Sequence, residues 1–455
     1  MAAASEERRN QGLSALLEQA GYSETKFAHA VNRLGAEAGL GLNYRQPSVS
    51  QWKRGVQPKP QVRAVILAVI ERRLGRPVTY AEAGLQRPSG DLDGSERDTV
   101  ESLINLGKED MNPSRRKLLA AGLYSAALTV PAFSALTSTA EADDRDRLTR
   151  PTGRIGRGEV ETVRRMTDKI ADILDDLGGG HARPMAAAFL VNTVAGYLRA
   201  DASDEVHREM LSAASDLTYL TGWMAMYERA HGLGQTYYLR ALDLARESGD
   251  QLTYCRTLRG MSLQASHLRY GRKALEYADS AAEAAPQAGP RLVAFLRGQQ
   301  AHASAMVGDR HGAAVRLKEA ETALSQADSR RDAVGGYDQA AFLFHVSHVH
   351  YESRDLAASI KALRSSIRTM SPSERQGRLH AHAVLAQRQH EYGHLEEACV
   401  SWGRFLDDYE VLSTARGDEH FDKLRSLGTP RTSRTSPVVR DLRDRIHAVA
   451  EMKAA

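Results

Sequence analysis

Residues 47–60 read PSVSQWKRGVQPKP. Proline is tolerated in the first turn of a helix, where its missing amide has no acceptor to lose, and glycine accepts the left-handed turn that ends one. The spacing predicts a short helix that starts near Gln46 and stops at Gly55. At about 100° per residue, Val49 and Trp52 point together into a core, while Pro47, Ser50, Gln51 and Arg54 point together outwards. The outward groups are a hydroxyl, an amide and a guanidinium, which hydrogen-bond directionally to base edges in a major groove. Gln46, Ser48, Ser50, Gln51 and Arg54 are therefore the candidate base contacts. Arg45, Lys53 and Lys59 flank that face, and Thr25 and Lys26 open the helix before it; these five are the candidate phosphate contacts.

The charge distribution agrees with that reading. The chain has 455 residues and a net charge of only +4. Residues 1–87 hold 13 Lys and Arg against 7 Asp and Glu, whereas the remainder holds 48 against 50. No acid stands between Ala38 and Ile70, while Arg45, Lys53, Arg54, Lys59 and Arg63 do. A basic head on a near-neutral body points to a polyanionic partner for the head.

Around the quoted stretch the periodicity predicts further helices. Leu13, Leu16, Leu17 and Ala20 recur at helical spacing up to Gly21, and Ser23 can cap a second helix carrying Phe27, Val31 and Leu34. An irregular connection over Arg33–Tyr44 follows. A fourth helix runs from about Gln61 to Leu74, and Thr79 with Glu82 forms a capping-box pattern for a short fifth. Five short helices, the second and third meeting at a corner, make a helix-turn-helix domain over residues 10–87. KFAHAVN, SVSQWKRG, PKP and the apolar helix after it resemble the repressor-type helix-turn-helix regulators of the xenobiotic-response-element class. The resemblance implies that Ser50 and its neighbours open a recognition helix that Gly55 closes. The connection before it is longer than the family's usual turn.

Residues 88–158 read as a linker with one apolar helix at 117–136. SRRKLLAAGLYSAALTVPAFSAL looks like an export signal, and Leu118–Leu136 is long enough to span a bilayer. It follows about a hundred residues of head, however, and Gly122, Tyr124, Ser125, Thr129, Pro131 and Ser134 weaken insertion. A helix docked on the body is the expectation, with a membrane-tethered protein as an alternative.

Residues 159–412 repeat themselves. RYGRKALEYADSAAEAAP, VGDRHGAAVRLKEAETAL, SRDLAASIKALRSSI and YGHLEEACVSWGRFL each follow an apolar helix and a polar turn. They align on Ala274, Ala313, Ala358 and Ala398, with Ala362 and Ser365 in the third. Small residues on the second helix of each pair let the two backbones approach, and such pairs must stack to bury their apolar faces. The pattern resembles tetratricopeptide repeats and predicts a right-handed solenoid. The fold class expected is all-α, a helix-turn-helix domain followed by a tetratricopeptide-like α-solenoid. Gly178–Gly180 follows no strand and lacks the Lys-Ser/Thr of a phosphate loop, so it reads as a helix–helix turn. Residues 413–455 read as a tail with an amphipathic helix carrying Val439, Leu442, Ile446 and Val449.

Head, RRKLL segment, triple glycine, GWMAMYERAHGLGQTYYLRALDLARESGD and repeats together resemble an actinobacterial regulator family. Its best-known members are streptomycete negative regulators of sporulation and antibiotic production. That resemblance implies a cytoplasmic repressor that binds double-stranded DNA as a homodimer. A peptide, protein or small-molecule effector would sit in the repeat groove, with Trp223, Tyr227, Tyr237 and Tyr238 as its candidate lining. At helical spacing these aromatics suit the repeat core as well. The alternative is a scaffold that binds proteins through its repeats and no DNA. His345, His348 and His350 share one helix and His380, His382, His390 and His394 another, but no ligand constellation accompanies them and no metal is expected. Cys255 and Cys399 are too few for a disulfide framework and suit reduced, buried thiols. No nucleophile motif occurs, so neither catalysis nor a cofactor is expected.

Overall fold

In the head, Asn10 begins the structure by capping a helix and clamping two distant segments at once. Its Oδ1 accepts from the Leu13 amide at 2.9 Å, its Nδ2 donates to Ala83 O at 2.9 Å, and its amide donates to Lys53 O at 2.9 Å. The computed structural model describes residues 10–37, 41–74, 78–86, 98–112, 124, 133, 153–284, 288–327, 337–427 and 436–454. The head comprises α1 (Gln11–Gln19), α2 (Glu24–Glu37), α3 (Gln46–Lys53) and α4 (Pro60–Leu74). Leu13, Phe27, Val31, Val49, Trp52, Val65, Ile66 and Ile70 form its core, in the faces the periodicity predicted. Two expectations are corrected. Helix α2 continues through Arg33 to Glu37, which shortens the connection to α3. Thr79–Glu82 closes a turn and no fifth helix: Thr79 Oγ1 does accept from the Glu82 amide at 3.1 Å, but Gly84 turns left-handed and ends the run at once.

The body is an all-α helical-repeat solenoid. After α5 (Thr99–Met111) come α6 (Arg157–Leu177) and α7 (Gly179–Phe189), a π-helical turn (Leu190–Val194) and α8 (Ala195–Arg199). Five helix hairpins follow: α9 (Asp204–Tyr227) with α10 (His231–Ser248), α11 (Gln251–His267) with α12 (Gly271–Glu283), α13 (Pro290–Met306) with α14 (Arg310–Ser325), α15 (Gln339–Glu352) with α16 (Leu356–Thr369), and α17 (Arg375–Tyr392) with α18 (Leu395–Tyr409). Helices α19 (Ala415–Ser426) and α20 (Pro437–Ala454) complete the chain. Ala241, Ala274, Ala313 and Ala398 are buried where the hairpins close, as the repeat alignment predicts. In α16 the alignment is off by one: Ser359, Ala362 and Ser366 face inwards, and Ala358 and Ser365 are half-exposed. Buried serines stitch the hairpins, Ser215 donating to Ala241 O and Ser262 to Ala274 O, each at 2.7 Å.

Each hairpin turns through a left-handed residue: Arg229, Arg269, Gly308, Arg354 and Gly393. A side chain is strained there, because its Cβ crowds the following carbonyl.

Two boundaries move. Helix α5 lies within the expected linker yet belongs to the solenoid core through Val100, Leu103 and Leu106, and its buried Asp110 takes an ion pair from Arg183 and a 3.0 Å bond from the Tyr237 hydroxyl. The residues beyond 412 are no tail, because they close the solenoid on itself. The Ser413 amide donates to Leu177 O at 2.9 Å, and Gly180 donates to Ser413 O at 3.1 Å. Arg229 meets Glu419 at 3.9 Å, and Ala415 donates to the Glu228 carboxylate at 3.3 Å. The triple glycine is the seam. Gly178 has φ +92°, and a Cβ there would lie 2.3 Å from Ser413 O. Helix α20 packs against α18 through Val439, Leu442 and Val449.

Most of the apolar segment 118–136 lies outside the described residues, as do 87–97, 137–152 and 428–435. Tyr124 and Phe133 from that segment rest on the solenoid, Tyr124 stacked on Tyr270 at 5.4 Å and Phe133 against Tyr254 at 4.9 Å. Among the described residues no helix is long and apolar enough to cross a membrane. Arg72 of α4 hydrogen-bonds the Tyr270 hydroxyl, so head, segment and solenoid meet at one tyrosine.

Gly178→Ala adds both left-handed strain and a backbone clash. It is expected to cost on the order of 2 kcal/mol and to enlarge the radius of gyration in small-angle scattering as the seam opens. Arg354→Gly relieves strain at an exposed turn and should stabilise the chain by about 0.5 kcal/mol, whereas Arg354→Val should destabilise it; thermal unfolding reads both.

Candidate nucleic-acid interface and the repeat lumen

Helix α3 is set on the head by three fixtures. The Asn10 amide holds its C-terminal carbonyl at Lys53. The Asn32 side chain clips the backbone of Tyr44 from both sides, accepting from the amide and donating to the carbonyl, each at 2.7 Å. Trp52, 4 % exposed, packs inwards with the Tyr44 ring edge-on at 5.0 Å. With the indole inside, the opposite side of α3 faces water. Gln46, Gln51 and Arg54 are exposed, and Ser48 and Ser50 half-exposed. Thr25, Lys26, Arg45 and Lys59 are exposed around them. All ten residues singled out in the sequence are at least partly exposed.

The structure adds an acid that linear proximity hides. Glu24, in the first turn of α2, reaches across to α3. Its carboxylate accepts from Ser50 Oγ at 2.5 Å, from Gln46 Nε2 at 2.7 Å and from Lys53 Nζ at 2.9 Å. Those bonds hold the Glu24 carboxyl at about 2, far below the usual range. Gln46, Ser50 and Lys53 are thus engaged within the head, while among the described residues the side chains of Gln51, Arg54, Arg45 and Lys59 carry no partner. Arg63, the remaining base of that run, is buried and binds the carbonyls of Pro58 at 2.8 Å and Gln86 at 2.9 Å.

The candidate effector lining divides. Tyr237 and Tyr238 are fully buried in the hairpin core, Tyr237 through its bond to Asp110. Trp223 and Tyr227 are half-exposed and face the inside of the closed solenoid, ring centroids 5.2 Å apart. From them a circuit of ring contacts runs through the first helix of each hairpin. Arg259 bridges Trp223 at 5.6 Å and Phe295 at 3.7 Å. His302 packs on His348 at 4.5 Å, Phe344 lies between His348 and His380, and His380 stacks on His420 at 5.2 Å. Arg416 covers Tyr227 at 4.6 Å and so joins the His380 end of this series back to α9. The sequence showed histidines crowded on α15 and α17, but not that they share an interior with Arg259 of α11 and His302 of α13, which only the repeat register aligns.

Burial holds these imidazoles neutral. His302 and His231 drop to about 4, and His420 to about 3, because desolvation penalises the cation and Arg388 or Arg416 stands nearby. Among the described residues no cluster of His, Cys, Asp and Glu is arranged to hold a metal ion. A separate cavity of 270 Å³ lies between α18, α19 and α20, lined by Cys399, Trp402, Leu442 and Ile446 among others.

Residues 13–86, which are the head, match the family model described as the SP15 N-terminal domain. No curated protein matches the chain.

Removing the acceptor at the interface should loosen α3. Glu24→Gln is expected to speed amide exchange in Gln46–Lys53 about fivefold and leave the solenoid unchanged. The imidazoles set the acid limit. A histidine whose folded value is depressed stabilises the fold above its unfolded value of 6.5, and that contribution is lost as pH falls towards the folded value of about 4. For His302 this is on the order of 3 kcal/mol. The thermal midpoint should therefore fall steeply between about pH 6.5 and 5, above the range of carboxylate protonation, and His302→Gln should flatten the fall.

Proposed function

We propose that the chain is a sequence-specific DNA-binding transcriptional regulator acting in the cytoplasm, a repressor of development or secondary metabolism. In this reading the head is a helix-turn-helix domain and α3 is its recognition helix. The observation that carries it is the two-sidedness of α3: Trp52 is buried on one side, while Gln51 and Arg54 stand exposed on the other with no partner among the described residues. Amide and guanidinium are the groups that bond bidentately to adenine and guanine edges. Arg45, Lys59, Thr25 and Lys26 border that face as phosphate contacts, which set register and carry no sequence information. Glu24 anchors Ser50, Gln46 and Lys53 and so pre-orients the helix, leaving Gln51 and Arg54 to read bases.

One such helix reads only a few base pairs, so the regulator acts as a homodimer on paired half-sites. The solenoid is the dimerising and effector-sensing part. Its coupling to the head runs through Tyr270, which touches both Arg72 of α4 and Tyr124. An effector alters DNA affinity to the extent that it binds one head arrangement better than another.

Binding-site selection tests the reading. Gln51→Ala should relax the preference at one or two base positions by about tenfold. Lys59→Ala should weaken binding to all sequences and reduce the salt slope by about one. A Gln51→Ala chain with the wild-type preference would remove α3 as the reading helix.

A further inference from the structure

Three guanidiniums on the inner helix faces take part in no ion pair among the described residues. Arg259 of α11, 6 % exposed, lies on the Phe295 ring and leaves its Nε without a partner. Arg388 of α17, 4 % exposed, donates to Ser347 Oγ, approaches His348 Nδ1 at 3.2 Å and covers the Tyr351 ring. Arg416 of α19 is half-exposed, bonds His380 Nε2 at 2.6 Å and also leaves its Nε unpartnered. Among the described residues none of the three forms an ion pair. The nearby acids bind other groups: Glu352 pairs with Arg269, Glu391 accepts from the Tyr351 hydroxyl at 3.1 Å, and Glu419 pairs with Lys423 at 2.9 Å and Arg229 at 3.9 Å. Glu228 caps the Ala415 amide.

A guanidinium cannot shed its charge as a lysine or histidine can, and an unpaired buried cation costs several kcal/mol. The surrounding imidazoles supply no counter-charge in either protonation state. Arg416 bonds His380 and Arg388 approaches His348, and the Phe344 ring lies between those two imidazoles at 5.6 and 4.7 Å, while Arg259 stands further along over Phe295. Half-exposed ring faces of Trp223, Tyr227 and Phe344 look into it.

We infer that the lumen of the closed solenoid binds an anionic ligand, a carboxylate joined to a planar apolar body. Arg416 is the first contact, because it is the most accessible of the three and its fork matches a carboxylate. Arg388 and Arg259 lie deeper, and the three aromatic rings take the apolar body. The ligand spans α9 and α19, which belong to opposite sides of the seam, and so favours the closed ring. This rests on the solenoid being the effector-binding part and is independent of whether the head binds DNA.

The test titrates the full chain with 2-naphthoate and with its neutral isostere 2-naphthamide, by calorimetry and by thermal shift. The expected result is one site that prefers the carboxylate by about tenfold, with the preference lost in Arg416→Gln and retained in part in Arg416→Lys. Equal binding of acid and amide by the wild-type chain, in either measurement, overturns the inference without recourse to a variant. So does a preference that survives Arg416→Gln, Arg388→Gln and Arg259→Gln, which would place the ligand in the cavity beside α20. Gly-Gly-Gly-Phe with a free carboxyl, compared with its amide, distinguishes the source. Tighter binding than naphthoate assigns the site to a peptide terminus and weaker binding to a small organic acid, and either supports the anion site. A chain that takes naphthoate but no DNA keeps this inference and loses the regulator; one that selects DNA but is indifferent to the carboxylate does the reverse.

Discussion

The contact between Ser413 and the Gly178–Gly180 turn is the constraint from which the body takes its form. Stacked helix hairpins can continue indefinitely, because each one buries the last and exposes a new face. Here the last helices return to the first and exchange backbone hydrogen bonds with them, 2.9 Å and 3.1 Å long, so the two end faces cover each other. Gly178 is required because a Cβ there would lie 2.3 Å from the Ser413 carbonyl oxygen, and one at Gly180 would lie 2.5 Å from the Ser413 hydroxyl, while Gly179 faces the movable Glu228 carboxylate at 2.8 Å. Closure turns a groove into a lumen. It also explains why so many polar side chains lie inside, since the first helices of all the hairpins direct the same face to a common axis.

That interior is chemically unusual for a packed repeat domain. Small alanines and buried serines bring the two helices of each hairpin together on the faces they turn to each other. The faces towards the axis carry imidazoles, guanidiniums and aromatic rings. Neutral imidazoles can both give and accept hydrogen bonds, so His380 and His420 pair directly at 2.9 Å while Gln387 serves the other nitrogen of His420 at 3.1 Å. Protonation of either ring would bury a second cation beside Arg416, so the stability contributed by this pair falls as the pH drops below neutrality.

The head is built on a different economy. Its core is apolar and small, and its orientation depends on a few side-chain clamps: Asn10 to the turn before Leu85, Asn32 to Tyr44, and Glu24 to three residues of α3. Each clamp joins segments that a short helix could not hold by hydrophobic contact alone. Its link to the body runs through Tyr270, against which Arg72 and Tyr124 both pack. A shift of the ring at α11 and α12 thus has a short physical route to α4 and from there to α3.

Much of this was legible in the linear chain. Helical spacing identified α1, the start of α2, α3 and α4, and the small-residue register identified the hairpins, because both depend on neighbours three and four residues apart. The two-sidedness of α3 followed from the same arithmetic. Local patterns failed where tertiary contact decides. Glu24 stands more than twenty residues from the bases it binds, so a run without acids concealed an acid at its centre. Thr79 and Glu82 promised a helix, but Gly84 and the clamp from Asn10 required a turn. The alternation of core and lumen among Trp223, Tyr227, Tyr237 and Tyr238 could not be read, since all four are apolar rings at helical spacing and only the packing of α5 and α11 determines which are covered. Sequence alone determined α1, α3, α4 and the five hairpins with their pairing, which are short-range matters of periodicity and size, but not α5 and α19, which lay in segments read as linker and tail. The closed ring, and with it the cationic interior, was decided by a meeting of residues 178 and 413, which no local rule connects.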